Sequence, residues 1–265
     1  MTMNSTPKIF DTHAHYDDEA FDPDREAVIA SLREHGIGAV VNVGANRAGT
    51  EHSLELAQKY DFFYGAAGVH PSDTMEFENG TVSISWLREI ASQPKMLAIG
   101  EIGLDYYWDT PDRAIQKKWF LEQLALAKEL DKPVIIHSRD AAKDTLDLIR
   151  EAGGADMSMV IHCFSYEVEM AREYLKMGHF FGIGGVSTYK NARKLKEVIR
   201  FLPLEQILLE TDCPYLSPTP HRGKRNSSLN LEYVIHAIAE LKEISEEEVI
   251  AVTWANAHRF YRLPE

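Results

Sequence analysis

The sequence is poor in cysteine and has no long apolar segment. Among its 265 residues only Cys163 and Cys213 are cysteines, and each stands alone in its segment. A secreted disulfide scaffold carries a clustered, even set of cysteines, so this class is excluded and a reducing compartment is indicated. No stretch approaches the ~18 apolar residues that span a bilayer, and the start MTMNSTPKIF lacks a basic region followed by an apolar one. We therefore expect a cytoplasmic protein without membrane contact.

Basic residues are outnumbered by acidic ones. The chain has 28 Lys and Arg against 41 Asp and Glu, which gives a formal net charge of -13. A field of this sign repels a phosphate backbone and opposes nucleic-acid binding that relies on a basic surface. It leaves open contact through divalent cations in a pocket, because such ions supply local positive charge.

Short β-branched runs alternate with longer segments of helical period, which is typical of βαβ units around a parallel sheet. Eight strands are predicted, at residues 8–11, 39–43, 62–69, 96–99, 134–136, 159–161, 180–183 and 206–209. A helix is predicted over 111–130, and Ser245 with Glu248 forms a capping box before the last helix. The length slightly exceeds the roughly 250 residues of one (β/α)₈ barrel. We therefore predict an α/β fold, a (β/α)₈ TIM barrel, with residues 1–265 as a single domain.

Metal-ligand side chains follow most of these strands directly. The first strand runs into His13 and His15, whose spacing of two puts both imidazoles on one side of an extended segment. Such a pair can grip a metal ion, and two exposed loop histidines are the alternative. Six of the eight strands end in such residues: His13 and His15, His70, Glu101 and Asp105, His137, His162, and Glu210 and Asp212. Together they offer the neutral nitrogen donors and bridging carboxylates that a two-metal site requires.

Several motifs, in this order, resemble those of the TatD family of metal-dependent hydrolases and deoxyribonucleases, within the amidohydrolase superfamily. They are DTHAH (11–15), GVHP (68–71), AIGEIGLDYY (98–107), PVIIHSRD (133–140), HCFS (162–165), ETDCPYLSP (210–218), RGKRN (222–226) and NAHRFY (256–261), and they span nearly the whole chain. The resemblance implies a nuclease that binds two divalent ions and acts on DNA, as a single strand or at an end.

The resemblance also implies the metal ligands. One ion would be held by His13, His15, Glu101 and Asp212, and the second by Glu101, His137 and His162. Glu101 would bridge the two ions, which agrees with the residue types, because only a carboxylate has two oxygens that can reach two cations. The ions would be Mg, Mn, Zn or Ni, since these donors are not specific for one metal.

The catalytic residues are predicted to be Glu101 and Asp212. Asp212 would accept a proton from a water whose pKa the metals lower from 15.7 toward about 7. Glu210, two residues earlier, would point to the same side and orient a ligand; a plain barrel-interior carboxylate is the alternative. Cys163 and Cys213 each follow a proposed ligand, so alternation turns them away from the metals and a structural role is expected.

Four residues are candidate substrate contacts. His70 and Arg139 follow strand ends and would contact a phosphate or orient a ligand, with surface positions as the alternative. Arg222 and Arg225 belong to a basic loop of an acidic protein, where phosphate contact is favoured over a solvated turn. The loop that carries Asp105, Tyr106 and Tyr107 is expected to line the pocket.

The sequence departs from the family pattern at two places. Ser227 and Ser228 stand where Glu-Pro is usual, and Tyr166 stands where Gly is usual. Neither change touches a proposed ligand, so substrate choice is affected more than chemistry. The resemblance implies a 3′ to 5′ exodeoxyribonuclease that acts on single strands or frayed ends, and the mouth of a barrel would admit a terminus more readily than a duplex. A hydrolase of small amides, esters or lactones and a non-catalytic metal-binding barrel are the alternatives, and no obligate protein partner is expected.

Overall fold

Eight parallel strands, each paired with the next along the chain, form the centre of the molecule in the computed structural model, which describes residues 8–264. The strands are β1 Ile9–Ala14, β2 Ile37–Val43, β3 Phe63–Ala67, β4 Met96–Asp105, β5 Val134–Arg139, β6 Met159–Ile161, β7 Phe180–Ile183 and β8 Ile207–Leu209. All eight predicted strands are confirmed. Residues 1–7, part of the amino-terminal stretch in which no leader was expected, lie outside the described residues.

Helices occupy the connections between strands and follow the last one. They are α1 Arg25–Leu32, α2 Arg47–Lys59, α3 Met75–Glu78, α4 Ile84–Ala91, α5 Arg113–Glu129, α6 Ala142–Glu151, α7 Val168–Lys176, α8 Arg193–Phe201, α9 Leu231–Lys242 and α10 Glu246–Tyr261. The helix predicted over 111–130 is α5. Of the two bonds of the predicted capping box, the structure shows the one in which the Ser245 hydroxyl accepts the backbone N–H of Glu248 at 3.1 Å, before α10. Within residues 8–264, none of the helices is both long enough and apolar enough to cross a bilayer.

The first and last strands meet and nearly close the sheet into a barrel. The N–H groups of Thr211 and Asp212 donate to the carbonyl of His13 at 3.3 and 2.9 Å, and the N–H of His15 donates to Cys213 at 2.8 Å. The predicted (β/α)₈ architecture is therefore confirmed. These contacts also bring the segment after β8 against the end of β1, so that residues almost 200 positions apart share one site.

The fourth and fifth strands extend further than predicted, because their polar ends remain in the ladder. Gly103 makes this possible: at a φ of 147° it packs so closely on β5 that an added Cβ would stand 1.9 Å from the carbonyl oxygen of His137. Backbone pairing needs only N–H and C=O groups, so it continues after the apolar run ends. Glu101 and His137 thus lie within strands, where the sheet holds their backbones.

The amino-terminal end of the barrel is closed by packed side chains. A cluster of inward-facing residues, one or more from each strand, packs against Ala257, Phe260 and Tyr261 of α10. The amide of Asn256 donates to the carbonyls of Leu204 and Ile207, both at 2.8 Å. The opposite, carboxyl end therefore remains as the open mouth of the barrel, which is where barrel enzymes place their sites.

Candidate metal centre

The mouth of the barrel contains a cavity of about 600 Å³ into which five of the six predicted ligands open. These are His15, Glu101, His137, His162 and Asp212. The sixth, His13, lies just beneath them and is 1% exposed. The structure thus brings together, from five different strands or the segments after them, all the side chains predicted as ligands.

Glu101 lies between two sets of imidazoles and turns one oxygen toward each. Its Oε2 is 3.4 Å from Nε2 of His13 and 3.9 Å from Nε2 of His15. Its Oε1 is 2.7 Å from Nδ1 of His137 and 3.4 Å from Nε2 of His162. The carboxylate is 4% exposed. This is the arrangement that a bridging ligand needs.

The spacing of the donor atoms fits a shared cation. Nε2 of His15 is 3.4 Å from Oδ1 of Asp212, and Nε2 of His13 is 3.7 Å from the same oxygen. Direct hydrogen bonds between such atoms measure about 2.7–3.2 Å, whereas ligands about 2.1 Å from one tetrahedral ion stand about 3.4 Å from each other. His13, His15 and Asp212 therefore form a group that could hold one ion, and His13, Glu101 and His162 form another.

The orientation of the rings agrees with this use. His15 has Nδ1 at 2.8 Å from the carbonyl of Val43, an acceptor, so the neutral ring carries its proton on Nδ1 and presents the lone pair of Nε2. His162 has Nδ1 at 3.3 Å from Oε1 of Glu210, and its ring stacks on that of His13 at 3.7 Å between centroids. Glu210 also accepts the N–H of Cys163 at 2.6 Å. Its contacts favour the ligand-orienting interpretation over that of a plain interior carboxylate.

The carboxylates give the site a strongly negative potential. Burial lowers the pKa of His162, but Glu210 and Glu101 outweigh burial and raise it to about 10. Burial likewise opposes protonation of His15, whose pKa Asp212 nevertheless raises to about 9. Carboxylates that favour protonation of the imidazoles in this way also favour binding of metal cations, because protons and cations both neutralise the negative charge of the carboxylates.

His70 and Asp105 complete the other side of the cavity. Nε2 of His70 lies 3.9 Å from Oε1 of Glu101, and the two residues form a third donor group with His137. Asp105 places Oδ2 at 3.1 Å from Nε2 of His137. Asp105 is thus in the cavity as expected, and it holds the ring of His137 against Glu101.

The three arginines predicted as substrate contacts lie in different surroundings. Arg139 lines the cavity, with its guanidinium carbon 3.8 Å from the ring centre of Tyr107. Arg222 is exposed and packs on the ring of Tyr189 at 4.0 Å. Arg225 forms a two-point ion pair with Asp24, with both N–O distances at 2.7 Å. Neither Arg222 nor Arg225 is among the described residues that line the cavity, so the structure brings only Arg139 to the site.

Sequence reasoning gave no role to Asp11, which anchors the segment after β8. Its Oδ2 accepts the hydroxyls of Thr211 and Ser228, both at 2.7 Å, and its Oδ1 accepts the N–H of Thr211 at 3.1 Å. Asp11 is fully buried, and burial raises its pKa to about 7. The sequence shows that Asp11 lies two residues before His13, but it does not indicate the hydrogen-bond partners of Asp11, which lie 200 and 217 positions away. Ser228 thus takes part in holding the segment that carries Asp212.

The cysteines take no part in the donor groups found among residues 8–264. Cys213 is buried, and Cys163 is partly buried beside His162. Their expected structural role stays a prediction. Other residues that sequence reasoning did not select also line the cavity, namely Asp17, Asp18, Asp73, Trp108 and Tyr215.

The chain is similar to known proteins over almost its full length. The family model described as TatD related DNase matches residues 10–262. The metal-dependent hydrolase YabD of Bacillus subtilis is 42% identical over 255 residues, which cover 96% of this chain and 99% of the relative. YcfH of Escherichia coli K12, also named a metal-dependent hydrolase, is 34% identical and covers 96% of each chain. The crystal structure of the TatD homologue YjjV of Escherichia coli K12 superposes with a TM-score of 0.90 at 30% identity, covering 97% and 99% of the two chains.

Proposed function

Since the chain belongs to the TatD-related DNase family and is a metal-dependent hydrolase, we propose that it hydrolyses phosphodiester bonds at the ends of single-stranded DNA. The observation that carries the proposal is the placement of Glu101, whose two oxygens face two donor sets at the base of an open cavity. Paired cations held in this way suit a displacement at phosphorus, because both the attacking and the leaving oxygen need stabilisation.

Two cation positions are proposed. His13, His15, Asp212 and Oε2 of Glu101 would hold the first, and His137, His162 and Oε1 of Glu101 the second. Bound there, divalent ions would lower the pKa of a water and neutralise charge on the phosphoryl oxygens. The remaining steps fall to the side chains of the protein.

Asp212 is the proposed general base. Its side chain is 18% exposed, so it is open to the cavity while lying 3.4 Å from His15. Burial raises the pKa of Asp212, but the neighbouring imidazoles of His15, His162 and His13 together outweigh burial and hold the pKa below its ordinary value. The carboxylate is therefore ionised at neutral pH and free to accept a proton from the attacking water. The backbone of Asp212 has a φ of 56°, a left-handed conformation that the neighbouring hydrogen bond to His13 maintains.

His70 is the proposed donor to the substrate. Its Nδ1 accepts the N–H of Ser72 at 3.1 Å, so a neutral ring carries its proton on Nε2, which faces the cavity. Burial lowers the pKa of His70 to about 3, which keeps the ring neutral. A protonated Nε2 is not a metal ligand, but it can donate to a phosphoryl oxygen. Arg139 supplies a positive charge on the same cavity wall.

The proposal is tested with single-stranded oligonucleotides labelled at the 5′ end. We expect protein loaded with Mg²⁺ or Mn²⁺ to release mononucleotides stepwise from the 3′ end, and Asp212→Asn to lower kcat by roughly 10³-fold or more. The matched control is Asp147→Asn, an exposed residue of α6 that forms an ion pair with Lys143. No turnover of any oligonucleotide by metal-loaded protein would overturn the proposal.

The acidic side chains around the cavity favour a second candidate. The cavity is lined, beside the proposed ligands, by Asp17, Asp18 and Asp73. Among the Lys and Arg residues of the described chain, only Arg139 lines the cavity and can balance their negative charge. This lining favours a small uncharged amide, ester or lactone, whose carbonyl the same cations would polarise. Turnover of such compounds at kcat/KM values well above those for DNA would select this candidate instead.

A further inference from the structure

The exposed large apolar side chains of the described chain are concentrated at the barrel mouth. There are five of them, and four lie in the loops after β4 and β8: Tyr107 and Trp108, 54% and 56% exposed, and Tyr215 and Leu216, 54% and 37% exposed. A cluster of large apolar side chains that are exposed to solvent usually marks a binding surface. Here three of the four are aromatic and offer flat faces.

Two of these aromatic side chains stand on opposite sides of the candidate metal centre. β4 and β8 are four strands apart in the eight-stranded barrel, so the loops that follow them face each other across the mouth. Trp108 and Tyr215 both line the same cavity as Glu101 and Asp212. A substrate held at the metal centre therefore has an aromatic ring on either side.

Both rings are held in place by their neighbours. The hydroxyl of Tyr215 donates to Asp18 at 2.6 Å, and its carbonyl accepts the amide of Asn226 at 2.8 Å. Trp108 packs edge to face with Tyr107 at 4.8 Å between centroids and an interplanar angle of 89°. Tyr107 in turn lies under the guanidinium of Arg139. Fixed rings lose little conformational entropy on binding, which suits stacking.

The charges of the cavity limit how a polyanion can bind there. Apart from histidines, Arg139 is the one basic residue among residues 8–264 that lines the cavity. Several aspartates also line the cavity. Among Lys and Arg residues, Arg139 alone could therefore contact the phosphates that flank the scissile bond. Further affinity for a strand has to come from another part of the nucleotide, and the exposed rings are complementary to its bases.

We propose that Trp108 and Tyr215 are stacking platforms that bind the unpaired bases on either side of the scissile phosphodiester. The inference rests on the proposed function, because it takes a nucleic-acid strand as the substrate. Bases in a duplex are already stacked and paired, so they cannot reach the two rings. The platforms would thus restrict the enzyme to unpaired ends while remaining indifferent to sequence.

The test compares a decathymidylate with a strand of equal length whose sugars carry hydrogen in place of the base. Binding to Mn²⁺-loaded protein is measured by fluorescence anisotropy, and KM and kcat by product release. We expect wild-type protein to bind the thymidylate about tenfold or more tightly than the base-free strand, since stacking of one base contributes roughly five- to 150-fold. Trp108→Leu and Tyr215→Leu should each remove much of this preference, and Trp108→Phe should retain most of it.

Two controls separate stacking from general damage. Met75→Ala removes an apolar side chain that is 46% exposed and does not line the cavity. This variant should bind both strands with the same affinity as wild-type protein. Asp147→Asn, at an exposed position of α6 away from the cavity, should likewise leave the kcat on both strands equal to that of wild type. Equal binding of the two strands by wild-type protein, or an unchanged preference in both leucine variants, would overturn the inference.

The failure of this inference is distinguishable from the failure of the proposed function. Hydrolysis of both strands with the same KM would support phosphodiester hydrolysis and overturn the stacking platforms. A base-dependent affinity that Trp108→Leu removes, in a protein that cleaves neither strand, would support the platforms and overturn the hydrolysis.

Discussion

Two arginines near the barrel mouth have different neighbours and therefore different expected roles. Arg139 lines the cavity and packs on Tyr107, while Arg225 is paired through two nitrogens with Asp24 and also donates to the carbonyl of Ala20 at 2.7 Å. A guanidinium that is already paired in this way gains little from a phosphate. Of the two, only Arg139 is available to the substrate.

Arg225→Ala should leave KM for single-stranded DNA within about twofold of wild type and lower the free energy of unfolding by no more than about 1 kcal/mol, the usual size of a surface ion pair. Arg139→Ala, its matched comparison, should raise KM by roughly tenfold because it removes a charge from the cavity wall. Steady-state kinetics and urea titration measure these effects. A tenfold rise in KM for Arg225→Ala would restore it as a substrate contact.

At the scale of residues, the sequence indicated which side chains gather at the barrel mouth better than it indicated the contacts around them. His13, Glu101 and their partners could be chosen because each follows an apolar run, and the barrel brings such positions to one end. The pairing of Arg225 with Asp24 could not be predicted, because the two lie 201 positions apart and local charge does not specify a partner. The role of Asp11 was missed for the same reason.

Among the elements, α10 has the clearest structural role. It closes the amino-terminal end of the barrel, where Asn256 is 1% exposed and donates to two carbonyls beside β8. Tyr261 at the end of α10 donates its hydroxyl to the carbonyl of Thr12 at 2.8 Å. The motif NAHRFY therefore connects α10 to the first and last strands, and its position opposite the mouth separates it from the chemistry.

Asn256→Ala should lower the free energy of unfolding by about 2–3 kcal/mol, because two buried carbonyls lose their donor. The kcat of the folded protein should remain within about twofold of wild type. Urea unfolding of the metal-free protein measures the first quantity, and Asn191→Ala, at an exposed position, is the control. A large loss of kcat without loss of stability would place Asn256 in the catalytic machinery instead.

The bounds of the strands show which part of each element the sequence reveals. Apolar runs located all eight strands, but β4 and β5 continue through Asp105 and Arg139. Hydrophobicity ends where the side chains begin to face the cavity, whereas backbone pairing continues. Gly103 was the available signal, since a glycine inside a strand often marks a close backbone approach.

The stability of the whole molecule should depend on pH through His179, which precedes β7. This residue is fully buried, and neither ring nitrogen has a hydrogen-bond partner within residues 8–264. Burial lowers its pKa to about 4, while in the unfolded chain it is about 6.5. The unfolded state therefore binds more protons between these values, and stability is lost as the pH falls from 6.5 toward 4.

Replacing His179 by Phe should remove this dependence. Between pH 7 and 4.5 the free energy of unfolding of wild type should fall by up to about 3 kcal/mol more than that of the variant. Chemical denaturation at several pH values gives the difference, with His35→Phe at an exposed position as the control. Parallel pH profiles for wild type and His179→Phe would contradict the assignment.

For the whole molecule, the alternation of strands and helices with motifs in family order was enough to predict the barrel and the end at which its metal-ligand side chains gather. The net charge of -13 argued against DNA binding through a basic surface, and Arg139 is the single Lys or Arg among the described residues that line the cavity. Tyr107 belongs to a loop that was expected to line the pocket, but Trp108 and Tyr215 escaped prediction. These two rings differ from buried aromatics only in their exposure, which depends on the folded chain.

The account depends on Glu101 joining two cation positions, and the most direct test is the number of metal ions bound by wild-type protein and by Glu101→Gln. Mass spectrometry of protein dialysed against Mn²⁺ should find about two ions per wild-type chain, since a two-metal site is the proposal. Glu101→Gln should retain at most one ion, because the amide lacks the charge and one of the two oxygens. Glu129→Gln, a surface residue paired with Arg88, should retain both. Two tightly bound ions in Glu101→Gln, or none in wild type, would contradict the account.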